Sequence, residues 1–345
     1  MTVEPRPTLA AVAARAGVSP STASLAFSGT GPVSAQTKQR VLDAAAALDY
    51  AGPDPRARSL RRGRSGIIGV VIEDRLRDAF RDPIIIAMLD GLADEVGAIG
   101  ASLLLITQGG ETAGAVESAP VDAVVLFGCS TRVTASVDLL RRRGIPVVAI
   151  EAEHLDGVVA IDLDNRPASR LLASKLEALG HREVAVVTLP LEASHRRGLV
   201  TPEHEPAATG YVAIERLAGV REVFPEVTVW ASAGSFIEEG VLAGAALLDS
   251  AHPPTAIVAQ SDLLAAGIVR AAVERGLRVP ADLSVVGFDG VEVDGIELTT
   301  IRQPAVDRGR SAGRAVLELL DGGSPADEAF QGEFVAGATI GEVHP

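Results

Sequence analysis

Cysteine is all but missing from this chain: Cys129 stands alone, so no internal disulfide can form, and its apolar neighbours mark it as an inert thiol. Aromatic residues are nearly as scarce, at 3% with one Trp and two Tyr, which leaves few flat faces on which a ligand could stack. No segment approaches the ~20 unbroken apolar residues of a transmembrane helix, and the first residues carry no apolar signal-like run. The expected location is therefore cytoplasmic, with no membrane partner. The histidines (His154, His181, His195, His204, His252, His344) lack ligand spacing, and even His195 with His204 reads as a solvated loop, so no metal site is expected. There is no phosphate-loop Gly-Lys-Ser/Thr, no Gly-x-Ser-x-Gly elbow and no paired-carboxylate motif. That removes the case for an enzyme and for a cofactor.

What the chain does have is divided unevenly. Its 345 residues, 47% hydrophobic, can bury a large core and form more than one domain. Residues 1–65 hold nine Arg or Lys against four acids, a net of +5, which leaves −19 for the remainder given the chain total of −14. A basic head on an acidic body suits nucleic-acid binding through the head alone, because phosphates repel the body. The head also has a helical grammar. Thr8 precedes Leu9, Val12, Ala13 and Ala16, spaced i, i+3, i+4 and i+7 on one helical face, and Gly17 ends that helix. Ser19 caps a second helix whose first position is Pro20, where a missing N–H costs nothing. In it Ala23, Ala26 and Phe27 suit a core, while Ser21, Thr22, Ser24 and Leu25 face outward. A third helix starts near Ser34 and runs through Val41, Leu42, Ala45 and Leu48, closing a small core over Phe27 and Tyr50. Two short helices joined by a tight Gly-containing turn predict a helix-turn-helix, whose second helix lies in the major groove of double-stranded DNA.

Ala16-Gly17-Val18-Ser19, Thr22 and Ser24, Val33-Ser34 with Thr37, Val41, Leu48-Asp49-Tyr50 and Ala57-Arg58-Ser59-Leu60 form an ordered series. In it the chain resembles the LacI/GalR family of transcriptional regulators. The resemblance implies DNA contacts from Thr8, Ser19, Pro20, Ser21, Thr22, Ser24, Leu25, Ser28, Ser34, Thr37, Arg40, Ala57, Arg58 and Leu60. It further implies a hinge that folds on the operator, with Leu60 prying open a minor-groove step beside Ala57; such a wedge costs a few kcal/mol of unstacking, offset by contacts to the bent duplex. Two departures stand out. Leu25 occupies the place of an arginine that grips guanine, so the bidentate contact, worth ~1–3 kcal/mol of discrimination, is lost and a thymine methyl becomes the reachable target. Ser28 replaces an asparagine at the helix end. The expected division is a DNA-binding domain at 1–51, a hinge at 52–65 and a core at 66–345.

From residue 66 onward, apolar β-branched runs (66–72, 102–106, 123–127, 146–150, 184–188, 256–259 and 284–288) alternate with helix-patterned segments (84–99, 167–179, 208–217, 236–248, 263–275 and 306–320). This alternation predicts an α/β core of doubly wound parallel sheets buried on both faces, in two lobes around a cleft. The family resemblance continues through Ile67-Ile68-Gly69, Gly144-Ile145-Pro146, Leu179-Gly180-His181, Ser284-Val285-Val286-Gly287-Phe288-Asp289 and Thr299-Thr300-Ile301-Arg302-Gln303-Pro304. It implies a periplasmic-binding-protein-like core crossed three times by the chain, with lobes near 66–162 plus 292–323 and 163–291 plus 324–345.

For a small-molecule effector, the resemblance points to Ser261, Asp262, Asp289 and Gln303, while Asp82, at the start of the first helix, and Trp230 offer a carboxylate and a flat stacking face. Plainer readings stay open: Asp82 as a cap before Pro83, Asp289 as an acid ordering its loop, Trp230 as core. An arginine that relatives place three residues before Gly210-Tyr211 is here Ala207, which removes the best charged donor, and Ser261 stands for a common asparagine. The expectation is a homodimeric repressor of a pseudo-palindromic operator, modulated by an effector of which a sugar or derivative is one open class. The rivals are an effector-independent or architectural DNA-binding protein and a cytoplasmic solute sensor.

Overall fold

The computed structural model describes residues 7–29, 31–52, 64–72, 76–107, 115–127, 134–152, 154–293 and 295–343. Ala57, Arg58, Leu60 and Cys129 lie outside them. The chain divides into two compact units, Met1–Gly66 and Ile67–Pro345.

The first unit contains α1 (Leu9–Ala16), α2 (Pro20–Ser28) and α3 (Ala35–Ala47). Gly17 follows α1 in the left-handed region at φ 65°, which glycine enters without a Cβ penalty, and reverses the chain into α2. Val12, Ala13, Ala16, Ala23, Ala26, Val41, Ala44 and Ala45 are buried, and the Phe27 ring meets Tyr50 edge-on at 5.8 Å. Small alanines allow helices this short to approach closely, and the single aromatic pair seals one end.

The second unit is built on two sheets. The first is parallel, ordered β12-β5-β4-β3-β1-β2, from β1 (Ile67–Ile72), β2 (Ser102–Thr107), β3 (Ala123–Phe127), β4 (Val147–Ile150), β5 (Val159–Leu163) and β12 (Glu328–Phe330). Ile68, Val70 and Ile72 point to one face with Ala123, Val125 and Phe127; Val71, Val124 and Leu126 point to the other. Both faces are buried, so the strands read as unbroken apolar runs rather than as an alternation. One face is covered by α4 (Pro83–Gly97) and α10 (Ala305–Leu320), the other by α5 (Thr134–Arg142).

The second sheet is ordered β10-β9-β6-β8-β7, from β6 (Val184–Thr188), β7 (Gly198–Leu199), β8 (Thr228–Ala231), β9 (Ala256–Ala259) and β10 (Ser284–Val286), with only β7 antiparallel. It lies between α6 (Asn165–Ala178) with α7 (Tyr211–Arg221) and α8 (Ile237–Leu248) with α9 (Asp262–Glu274). Among the described residues no helix is long and apolar enough to cross a membrane.

Two of the crossings fall later than the expected lobe boundaries. The segment before α10 still belongs to the second lobe: Thr299 bridges Val286, Arg302 bridges Asp289, and β11 (Thr300–Arg302) pairs with β13 (Glu333–Val335). The chain therefore leaves that lobe near 303 rather than at 291. It returns only after β12, which adds to the edge of the first sheet; there Asp327 accepts a hydrogen bond from the Ala160 amide at 2.8 Å. A boundary at 323 would have stripped the first sheet of this strand.

Glycines set the spacing of the helix pairs. A Cβ on Gly309 of α10 would collide with the Met88 carbonyl of α4, and one on Gly91 with the Val306 carbonyl. Alanine in a helix interior gains ~1 kcal/mol over glycine, whereas overpacking costs ~1–3 kcal/mol and the obstacle here is rigid backbone. Gly309→Ala should therefore lower unfolding stability by about 2 kcal/mol in urea titration. Gly97→Ala, which would meet nothing within 4 Å, should leave stability unchanged or slightly raised.

Candidate functional site

In the first unit the helix starts dominate. The Thr8 hydroxyl accepts from the Ala11 amide at 3.2 Å, the Ser19 hydroxyl from Thr22 at 3.1 Å and the Ser34 hydroxyl from Thr37 at 3.2 Å. Each is thus a cap, placed where a helix N-terminus with its partial positive charge favours an anionic neighbour. On α2, Pro20, Ser21, Leu25 and Ser28 are exposed while Thr22 and Ser24 are half-buried; on α3, Arg40 is exposed and Thr37 half-buried. Ala23 and Ala26 turn inward, whereas Leu25 is 36% exposed on the opposite side of the helix. The outward face of α2 is therefore small, hydroxyl-bearing and apolar, with Lys38 and Arg40 nearby in sequence rather than upon it.

The second unit contains a cavity of about 1230 Å³ between its lobes. The first lobe supplies an apolar wall of Ile72, Ile84, Ile85, Met88 and Phe127; the second supplies Ser194, His195, Thr209, Tyr211 and Ser235. Asp82, Ser261, Asp289 and Gln303 line it. Asp82 also caps α4, accepting from the Ile84 amide at 2.8 Å, and Ser261 caps α9. Asp262 and Trp230 do not line it. Asp262 lies a layer behind, accepting from the Thr300 hydroxyl at 2.6 Å and the Val291 amide at 2.8 Å, and so pins the loop that carries Asp289. Trp230 packs on β8 into the apolar layer under α8 and α9.

Four lining residues, Glu151, Arg216, Asp289 and Gln303, are joined behind the cavity wall by Asn165 and Arg308 into a closed ring of six side chains. Arg308 Nη1 donates to Gln303 Oε1 at 2.7 Å; Gln303 Nε2 donates to Asp289 Oδ1 at 2.5 Å; Asp289 lies 3.6 Å from Arg216 Nη1. Arg216 Nε then donates to Asn165 Oδ1 at 2.7 Å, Asn165 Nδ2 donates to Glu151 Oε1 at 2.7 Å, and Glu151 Oε2 is 2.8 Å from Arg308 Nη2. Arg216 also stacks on Phe288, 3.6 Å from the ring centroid, and donates to the Gln260 carbonyl. All six are buried. Glu151, at φ 55°, and Asp289, at φ 128°, hold backbone conformations costly for non-glycine residues, of the kind that concentrates at functional sites.

Sequence reasoning missed Glu151, Asn165, Arg216 and Arg308. The signal was present for the arginines: Arg216 falls on the buried stripe Ala213, Arg216, Leu217, Val220, and Arg308 on Ala305, Arg308, Gly309, Ala312. A charge on the apolar face of a helix announces a buried partner. Arg216 also returns a guanidinium to the cleft that Ala207 had appeared to remove.

Burial pushes the Glu151 carboxyl up, but Arg308, Arg216 and the Asn165 amide together bring it below the usual range. Asp289 goes the other way: burial lifts it well above the usual range, Arg216 opposes, and Asp262 and Asp82 add repulsion. Burial likewise pushes Asp262 up to about 6, against the pull of the Thr300 hydroxyl and two backbone amides.

Residues 8–52 match the model for bacterial regulatory proteins of the lacI family, and 173–340 match the periplasmic binding protein-like domain. An HTH-type transcriptional regulator of Mycobacterium tuberculosis is 34% identical, over 97% of both chains. The chain belongs to the LacI family of transcriptional regulators. Among solved structures, a LacI-family regulator from Corynebacterium glutamicum is similar at TM-score 0.73 and 29% identity, covering 98% of this chain and 100% of that one. A complex of the regulator CelR with cellobiose is similar at TM-score 0.68 and 25% identity, covering 97% and 100%. Family membership makes the first unit the DNA-reading head.

Because Asp262 holds its proton more tightly folded than unfolded, its contribution to stability is full below its unfolded value of 3.8 and is lost as pH rises through about 6. Relative to Asp262→Asn, the natural protein should lose up to about 3 kcal/mol between pH 4 and pH 7. Urea midpoints of the two proteins measured across that range check this; parallel curves would contradict it.

Proposed function

We propose that this chain acts in the cytoplasm as a homodimeric repressor of a pseudo-palindromic operator, a binding protein rather than an enzyme, and that a neutral polyhydroxylated effector held between the lobes sets its affinity for DNA. One head reaches one half-site, so two-fold pairing of chains supplies the second. By family resemblance Leu60, with Ala57 and Arg58, wedges the minor groove, while Thr8, Ser19, Ser34, Thr37 and Arg40 hold the backbone. Pro20, Ser21, Thr22, Ser24, Leu25 and Ser28 face the bases. Asp82, Ser261, Asp289 and Gln303 contact the effector, with Asp262 acting through the Asp289 loop.

The observation that carries the effector class is the pairing of the cleft cations. Among the described residues, every arginine lining the cavity already faces a carboxylate: Arg77 with Asp78 at 3.3 Å, Arg81 with Glu238 at 3.5 Å, Arg197 with Glu239, and Arg216 with Asp289 and Glu151. A phosphate or carboxylate would have to displace one of these acids from its arginine, whereas hydroxyls can bond to carboxylates, amides and guanidiniums in place. The apolar wall opposite suits the C–H face of a sugar ring. The cellobiose carried by CelR fits the same class.

Calorimetric titration with glucose, galactose, cellobiose and xylitol, against their phosphates where these exist, tests the class. The neutral compounds should bind and the phosphates should not; tighter binding of a phosphate would reverse the reading. For DNA, duplexes selected from a random pool should show a thymine where Leu25 touches, and Leu25→Arg should shift that base toward guanine with ~1–3 kcal/mol of discrimination. Leu60→Ala should weaken the selected duplex far more than bulk competitor, since it removes a wedge and no charge.

A further inference from the structure

We infer that Arg308, which does not line the cleft, is the positioning residue that decides how the cleft floor meets an effector and ties that decision to the arrangement of the lobes. The inference rests on the effector reading above and adds a residue and a device to it.

Arginine has donors only. With Nη1 on Gln303 Oε1, the amide of Gln303 must turn its nitrogen to Asp289, as observed. The second N–H of that nitrogen then sits beside the Asp289 carboxylate, so the floor offers a donor and an acceptor side by side. A hydroxyl both donates and accepts and matches this pair. Reversed, the amide would set its oxygen against Asp289 and present two acceptors.

The same geometry spans the lobes. Arg308 and Glu151 belong to the first lobe through α10 and β4; Asn165, Arg216 and Asp289 belong to the second; Gln303 lies at the crossing between them. Rotation of one lobe on the other moves Arg308 away from Asp289, and one amide cannot follow both. Opening therefore breaks the ring at Gln303, and an effector bonded to Asp289 and Gln303 together favours the closed ring.

Arg308 is poorly placed as a stabilising device. It is 0% exposed, and its Nε and Nη2, among the described residues, lack an aligned hydrogen-bond acceptor although Glu151 lies close. A buried guanidinium left partly unsatisfied is costly, and an apolar side chain of similar volume is the cheaper core residue.

Three proteins test this: the natural chain, Arg308→Met, and Arg308→Met combined with Glu151→Gln, which leaves no uncompensated buried carboxylate if the single variant fails to fold. Thermal unfolding establishes which are folded. Side-chain amide NMR on glutamine-labelled protein should show the Gln303 amide as one exchange-protected pair in the natural chain and as an unprotected, averaged pair in a folded variant. Of glucose, galactose, cellobiose and xylitol, any that binds the natural chain should bind the variant about tenfold more weakly, with its preference between epimers flattened. A folded variant that keeps the protected amide and binds the same sugars within about twofold overturns the inference. If no sugar binds the natural chain while the amide responds as expected, the effector class fails and the role of Arg308 stands.

Discussion

Everything in the second unit that bears on signalling is constrained by two arginines and two carboxylates that must stay paired out of water. Removing one partner from such a set costs ~3–5 kcal/mol because the remaining charge has nowhere to go, a large part of the ~5–15 kcal/mol that holds a whole domain together. Glu151 and Arg308 are held by one lobe and Arg216 and Asp289 by the other, and the lobes share these charges where Asn165 donates to Glu151, Arg216 lies 3.9 Å from Glu151 and Arg308 donates to Gln303. The lobes can thus change their relation only in ways that keep these charges satisfied, by re-pairing or by admitting water and ligand. That restricts the core to a small number of arrangements, as a two-state switch requires. Sheets of continuous apolar strands cannot supply this, since their packing is satisfied lobe by lobe and is indifferent to how the lobes meet.

The ring also explains why backbone strain gathers where it does. Glu151 leaves β4 at φ 55° and Asp289 follows β10 at φ 128°, each at a cost of ~1–3 kcal/mol. Neither would persist if the surroundings did not hold it. Asp289 is held by Gln303, by Arg216 and by a loop that Asp262 pins through Val291, while Gly287 leaves room for the Asp262 carboxylate that a Cβ would strike. Asp262, outside the cleft, and Asp289, within it, therefore form one unit: the first buys the geometry of the second.

Local patterning made the architecture legible, and long-range pairing hid its key residues. The seven apolar runs became strands because burial on both faces leaves no alternation to misread. Strands β5 and β8 escaped notice because Asp162 interrupts the first and Thr228 opens the second, so neither stands out as an apolar run. The lobe boundaries slipped because β11, β12 and β13 have three residues each and are fixed by partners far along the chain. In the cleft, Ser261, Asp289 and Gln303 were visible by resemblance, and Asp82 as a carboxylate at a helix start. Arg216 and Arg308 were visible only as charges on an apolar stripe, a sign that says a partner exists without saying which. Trp230, for which stacking on a ligand and plain packing both stood open, packs on β8 within the apolar layer.

The energetics of switching close on the effector's chemistry. Moving a two-state equilibrium from 1:99 to 99:1 requires about 5.5 kcal/mol of differential binding. Hydrogen bonds to charged groups contribute about 1.5–3 kcal/mol each, and neutral ones about 1. Among the described residues every lining arginine already faces an acid, so an anionic effector would have to displace one of these pairs rather than add a salt bridge. Three or four hydroxyls acting together on Asp289, Gln303 and the facing Ser and Thr groups can supply the difference, provided both lobes contribute partners. A molecule with a single hydroxyl falls short, which is the energetic ground for proposing a polyol rather than a simple alcohol.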